Sequence, residues 1–93
     1  MSNLYTLRES EFYAWQASQL GSSERMDDVL AGLLWAIARL ADDFPLVPDT
    51  EKLRVAESTR FLHDDGTPLR VRIWFVVASE NEVDLLAIEA EPS

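Results

Sequence analysis

Ninety-three residues, 47% hydrophobic and 10% aromatic, are enough for one core and too few for two, so a single domain over residues 1–93 is expected. That composition excludes wholesale disorder, no apolar run approaches the ~20 residues that cross a bilayer, and the absence of cysteine removes disulfides, thiolate nucleophiles and cysteine-held zinc. Seventeen Asp and Glu against eight Lys and Arg give a net charge of −9, which argues against general nucleic-acid binding and leaves room only for local contact. The acidity serves either solubility or a positively charged partner. "MSNLYTLRES" lacks the basic-then-apolar order of a signal peptide, so a cytoplasmic location is expected.

Along the chain, "NLYTLRES" alternates in the manner of a short strand or extended arm. Ser10 offers a cap to a first helix in which Phe12, Trp15 and Gln19 recur at helical spacing, with Tyr13 and Leu20 adding apolar surface. Gly21 ends it, since glycine takes positive φ at low cost. Ser22 and Ser23 cap the clearest element. Met26, Val29, Leu30, Leu33, Leu34, Ile37, Leu40 and Ala41 form an amphipathic stripe in a second helix that stops before Pro45. Gly32 inside it costs ~1 kcal/mol of helix propensity against Ala, and a close backbone approach is the expected reason.

After the connection "PLVPDTEKL" the period changes to two. "ESTRFLH" reads as a strand, "DDGTP" as a turn marked by Asp65-Gly66, "LRVRIWFVV" as the returning strand, "ASENE" as a second turn and "VDLLAIEAE" as a last strand. The prediction is an α+β domain of order β-α-α-β-β-β. Its helical hairpin packs on a small, mostly antiparallel sheet, with the first strand joining an edge.

Five of the eight basic residues, Lys52, Arg54, Arg60, Arg70 and Arg72, fall between positions 52 and 72, and only carboxylates follow. In "LRVRIWFVV" alternation sends Val71, Ile73, Phe75 and Val77 to one face, and Arg70, Arg72, Trp74 and Val76 to the other. Arg72 either contacts an anion or pairs across the sheet with a carboxylate such as Glu57 or Asp84. His63, the sole histidine, reads as a turn-flanking residue before Asp64 and Asp65 rather than a base or metal ligand. Trp74 on the arginine face and Trp35 on the polar side of the second helix are candidate contact residues. No metal or cofactor motif is present in the sequence.

"FYAWQASQL", "LLWAIARLADDFP", "RIWFVV" and "VDLLAIEA" resemble the first helix, the second helix, the arginine-led central strand and the following apolar strand of the RelE/ParE toxin superfamily. The resemblance covers nearly the whole chain. It implies a type II toxin–antitoxin component, of the kind linked to plasmid stabilisation, with a cognate antitoxin as partner. The ribosome or DNA gyrase would be the target, and a homodimer is in keeping with it. RelE-like members cut mRNA in the ribosomal A site, and ParE-like members poison gyrase. For a ribosome-dependent endoribonuclease, the match places phosphate stabilisation on Arg72, RNA positioning on Arg60 and Arg54, and proton transfer on Glu51 or His63. Arg70, Trp74 and Trp35 would add binding surface. The nuclease branch usually carries a Tyr, His or Lys near its end and strong basicity. This chain has "AIEAEPS" and −9. Binding to a target complex with little or no RNA cleavage is therefore the leading expectation. The alternative is a small acidic inhibitor from a mobile element, whose Glu80, Glu82, Asp84, Glu89 and Glu91 would grip a basic host surface.

Overall fold

The structure, a computed structural model, describes residues 4–21 and 23–92. Strand β1 (Thr6–Glu9) leads into helix α1 (Glu11–Gln19), helix α2 (Glu24–Leu40) and a 3₁₀ turn (Ala41–Asp43). Four strands follow: β2 (Arg54–Glu57), β3 (Phe61–Leu62), β4 (Pro68–Ser79) and β5 (Glu82–Pro92). They build a mixed five-stranded sheet in the order β1-β5-β4-β2, with β3 also paired to β4. Only β1 and β5 run parallel; the other pairings are antiparallel. The class is α+β, as expected, with one more strand than the sequence indicates.

The helix boundaries follow from their caps. The Ser10 hydroxyl accepts from the Tyr13 amide at 3.0 Å and the Ser23 hydroxyl from the Met26 amide at 3.1 Å, satisfying donors that have no partner within the helix. Ser22, expected to share the second cap, lies outside the described residues, as does Asn3 of the expected first strand. Gly21 takes φ +74°, the left-handed conformation that ends α1 cheaply. In α2 most of the stripe behaves as its spacing dictates: Met26, Ile37 and Ala41 are buried, and Val29, Leu30, Leu33 and Leu34 pack against the core, whereas Leu40, at the end of the helix, is exposed.

In α1 the expected face is reversed. Tyr13 is buried, with Ala17 and Leu20 packed beside the core, whereas Phe12 and Trp15 are exposed. The spacing Tyr13, Ala17, Leu20 is as helical as Phe12, Trp15, Gln19, and α1 lies along β5 with the first set inward. The approach does more than bury apolar surface. β1 stops at Glu9, so β5 beyond Leu85 loses its hydrogen-bonding neighbour on that side. Gln16 Oε1 accepts from the Ile88 amide at 2.9 Å, and the Ser10 hydroxyl donates to the Leu86 carbonyl at 3.2 Å. α1 thus closes an edge that would otherwise offer unpaired backbone groups.

The predicted strand "ESTRFLH" is two strands. β2 begins earlier, at Arg54, and pairing lapses between Glu57 and Phe61. There the Ser58 amide donates to the Val71 carbonyl at 2.8 Å, while the Val71 amide donates to the Ser58 hydroxyl at 3.0 Å. A side chain has taken over one ladder bond, which is why the backbone can break step. The "DDGTP" turn forms as read, with Gly66 at φ +85° and the His63 amide bonded to the Thr67 carbonyl at 2.8 Å.

β4 is the central strand, and its inward residues Val71, Ile73 and Phe75 are fully buried. Phe75 meets Phe44 edge to face at 5.7 Å, tying the chain after α2 to the sheet. In β5 the alternation slips. Trp74 is opposite Ala87 but Phe75 is opposite Leu85, so Leu86 is an extra residue, a β-bulge. Val83 and Leu85 point inward before it, and Ile88 and Ala90 after it. Among the described residues no helix is long and apolar enough to cross a membrane.

Gln16 can be tested directly. Gln16→Leu leaves the buried Ile88 amide without an acceptor and should lower stability by ~1–3 kcal/mol in urea titration, whereas Gln16→Glu, which keeps an acceptor, should cost less.

Candidate functional site

The sheet face turned away from the helices holds the arginine pair. Even-numbered residues of β4 point there, and the register sets Arg72 between Glu57 on β2 and Glu89 on β5, and Arg70 opposite Glu91. The Arg72 Nε donates to Glu57 Oε2 at 2.6 Å, and its Nη1 lies 3.5 Å from Glu89 and in contact with Glu91. The Arg70 Nη1 reaches the other oxygen of Glu57 at 3.3 Å. One guanidinium is therefore surrounded by three carboxylates, and one of these bridges to the second arginine. Of the two partners named from the sequence, Glu57 is confirmed, whereas Asp84 pairs instead with Arg8 of β1, whose Nη2 is 2.7 Å from Asp84 and whose Nη1 is 3.1 Å from Glu82.

The electrostatics follow from this geometry. The hydrogen bond from Arg72, with the nearby charges of Arg72 and Arg70, holds the Glu57 carboxyl below its ordinary value, and the same bond holds Arg72 more firmly protonated. Two guanidiniums against Glu57, Glu89 and Glu91 leave the cluster net negative. A phosphate approaching Arg72 would have to displace carboxylates already bound to it. Trp74, half-buried, lies on the same face with Val55 and Ala87 beside it in register.

The remaining candidates do not converge on Arg72. Arg54 is opposite Phe75 in register and so belongs to the helix side of the sheet, where its Nη1 donates to the Phe44 carbonyl at 2.6 Å. Arg60 is exposed in the break between β2 and β3, and Glu51 is exposed in the loop before β2; neither has a side-chain hydrogen bond or ion pair among the described residues. His63 flanks its turn as expected, 3.8 Å from Asp65. Asp65 accepts from the Thr67 amide at 2.9 Å, and hydrogen bonding from Thr67, its side chain first and its amide second, holds the carboxyl below its ordinary value more than the nearby histidine does. Among the described residues no group of three or more His, Cys, Asp or Glu is placed to hold a metal ion.

Surface charge is distributed differently from the sequence expectation. Four of the five C-terminal carboxylates proposed to grip a partner, Glu82, Asp84, Glu89 and Glu91, are occupied by Arg8 and Arg72. The uncompensated charge lies in the helical half. Between Glu9 and Glu51 nine carboxylates stand against two arginines, so seven of the nine net negative charges fall there. On that half α1 presents Phe12 and Trp15, 57% and 60% exposed, their rings nearly parallel at 6.3 Å. Sequence spacing alone does not identify this pair as surface, since the rival stripe through Tyr13 is the only signal. Trp35 is also 60% exposed, and Arg39 stacks over it at 4.5 Å.

No model of a known protein family matches the chain, and no curated protein is similar to it in sequence.

Glu57 supplies a pH test. An ordinary glutamate titrates near ~4.3 in an unfolded chain. A folded value held lower adds stability that is complete above that pH and is lost as pH falls through the folded value. The urea midpoint of the wild type should therefore fall more steeply below about pH 4.3 than that of Glu57→Gln, and high salt should narrow the difference.

Proposed function

We propose that the chain is a toxin-like component of a type II toxin–antitoxin pair, with a RelE/ParE-like fold. It acts by binding a target protein complex, gyrase or ribosome, with weak or no RNA cleavage. Its element order, with two helices between the first strand and the sheet, and with the first strand set beside the last, supports the fold reading. The observation that carries the mode of action is the closure of Arg72 by Glu57, Glu89 and Glu91. Cutting RNA needs a base, an acid and free positive charge at one phosphate. Here Arg54 is on the other face of the sheet, and neither Glu51 nor Arg60 contacts the cluster. The arginine of the central strand acts as a structural cross-strand tie.

Binding falls instead to the helical side. A stacked aromatic pair within an acidic surface suits a partner with an apolar patch rimmed by basic residues, because aromatic anchors supply most of the affinity and the charges steer the encounter. A cognate antitoxin would hold the toxin inactive in the cell.

A second reading is favoured by the same concentration of seven net charges between Glu9 and Glu51: a small acidic inhibitor of a basic host surface, with no toxicity of its own.

Induced expression should arrest growth, and Phe12→Ala or Trp15→Ala should relieve arrest by weakening target affinity ~10-fold or more, as for aromatic hot spots. Arg72→Ala should leave arrest intact, apart from any loss of folded protein measured in parallel. Cleavage of ribosome-bound mRNA that disappears in Arg72→Ala would overturn the binding mode. Normal growth together with capture of a basic partner, weakened by Glu9→Gln and Glu11→Gln, would favour the inhibitor.

A further inference from the structure

α2 buries one side and leaves the other uncovered. Met26, Leu30, Leu33, Ile37 and Ala41 serve the core, while Asp28, Ala31, Gly32, Trp35 and Arg39 lie opposite them and are exposed. At 3.6 residues per turn these five occupy one continuous face. Two of them have no explanation within a single chain. Trp35 is 60% exposed, its only aromatic or cationic neighbour among the described residues being Arg39 of its own helix. Gly32 sits in the helix interior, and a Cβ built there would meet nothing within 4 Å. Glycine weakens an exposed helix, and this chain gains no close approach from it.

We infer that this face receives a second copy of the chain, α2 against α2, antiparallel about a two-fold axis level with the Leu33–Leu34 peptide. Self-complementarity of shape and charge selects that occupant. In this register Trp35 of each copy lies over Gly32 of the other, and Asp28 of each lies opposite Arg39 of the other. The symmetry makes each match occur twice. The indole fills the space that any side chain at position 32 would take, so the glycine gains the close approach that the monomer lacks. The Arg39 guanidinium, already held over Trp35, is positioned to donate to the opposing carboxylate without being reoriented. A parallel arrangement would set Asp28 against Asp28 and Arg39 against Arg39, so charge also fixes direction.

A helix of 17 residues is only ~26 Å long, and one such face is below the size of a standard interface, so the dimer is a weak one. Two copies of charge −9 repel at low ionic strength, while ~0.15 M salt shortens that repulsion to ~8 Å and spares the close Asp28–Arg39 pairs. The inference stands apart from the toxin reading and would hold for the acidic inhibitor as well.

Sedimentation equilibrium of the full chain, over about 1–500 μM at ~0.15 M salt, tests it. The expected result is a monomer–dimer equilibrium with a dissociation constant of ~10–100 μM. Trp35→Ala and Gly32→Leu should each weaken it ~10-fold or more; the second is compatible with the fold, since a Cβ at that exposed position meets nothing within 4 Å in the monomer. Asp28→Arg and Arg39→Asp should each weaken association, and the double variant should regain most of it. A wild type that stays monomeric throughout overturns the inference and leaves the face for a different protein. A dimer indifferent to Trp35→Ala and Gly32→Leu overturns it too. So does a dimer lost in both single charge variants and not regained in the double.

Discussion

The extra residue at Leu86 governs how this sheet is used. A strand with strict alternation could bury either Val83 and Leu85 or Ile88 and Ala90, but not all four on one side. The bulge shifts the pleat by one residue and lets both halves of β5 face the helices. The same shift turns Glu89 and Glu91 to the outer face, beside Arg70 and Arg72. The irregularity also coincides with the end of β1, so α1 can supply Gln16 and Ser10 to backbone groups that no strand reaches. Core, charge cluster and edge protection thus share one cause.

The charge cluster sets the electrostatic character of the two sides. On the outer sheet face Arg8, Arg70 and Arg72 are all engaged by carboxylates of neighbouring strands, so of the basic segment between positions 52 and 72 only Lys52 and Arg60 are left exposed. Arg54, in the same segment, faces the other way and fastens the chain after the 3₁₀ turn. The helical side keeps most of the net charge and the exposed aromatics. A molecule built this way offers little to a phosphate and more to a protein partner that is apolar at its centre and basic at its rim.

The candidate site was legible to the extent that it depends on alternation. That Arg70, Arg72 and Trp74 share a face follows from their even numbering in one strand, and Glu57 is one of two carboxylates the sequence offers Arg72, the other, Asp84, being taken by Arg8. The sequence shows that only carboxylates follow Arg72, but not that Glu89 and Glu91 are the ones beside it, because an unmarked bulge changes the parity of everything after it. The resemblance sets Arg54 beside Arg72, whereas the register of β2, with Arg54 opposite Phe75, places it on the other face. That Tyr13 rather than Phe12 and Trp15 enters the core is not legible, since two stripes of equal periodicity compete in α1 and composition does not choose between them.

The sequence by itself determined the class, the two helices with their serine caps, the Asp65-Gly66 turn and the inward face of β4. All of these rest on local chemistry: a hydroxyl near free amides, a residue that tolerates positive φ, and a period of two or of about 3.6. Tertiary structure alone decided the parallel seat of β1 beside β5, the bulge, the division of "ESTRFLH" and the side on which α1 packs. These depend on which backbone groups a distant segment can satisfy, as Gln16 does for Ile88 across 72 positions, and such long-range matches leave no periodic trace in the chain.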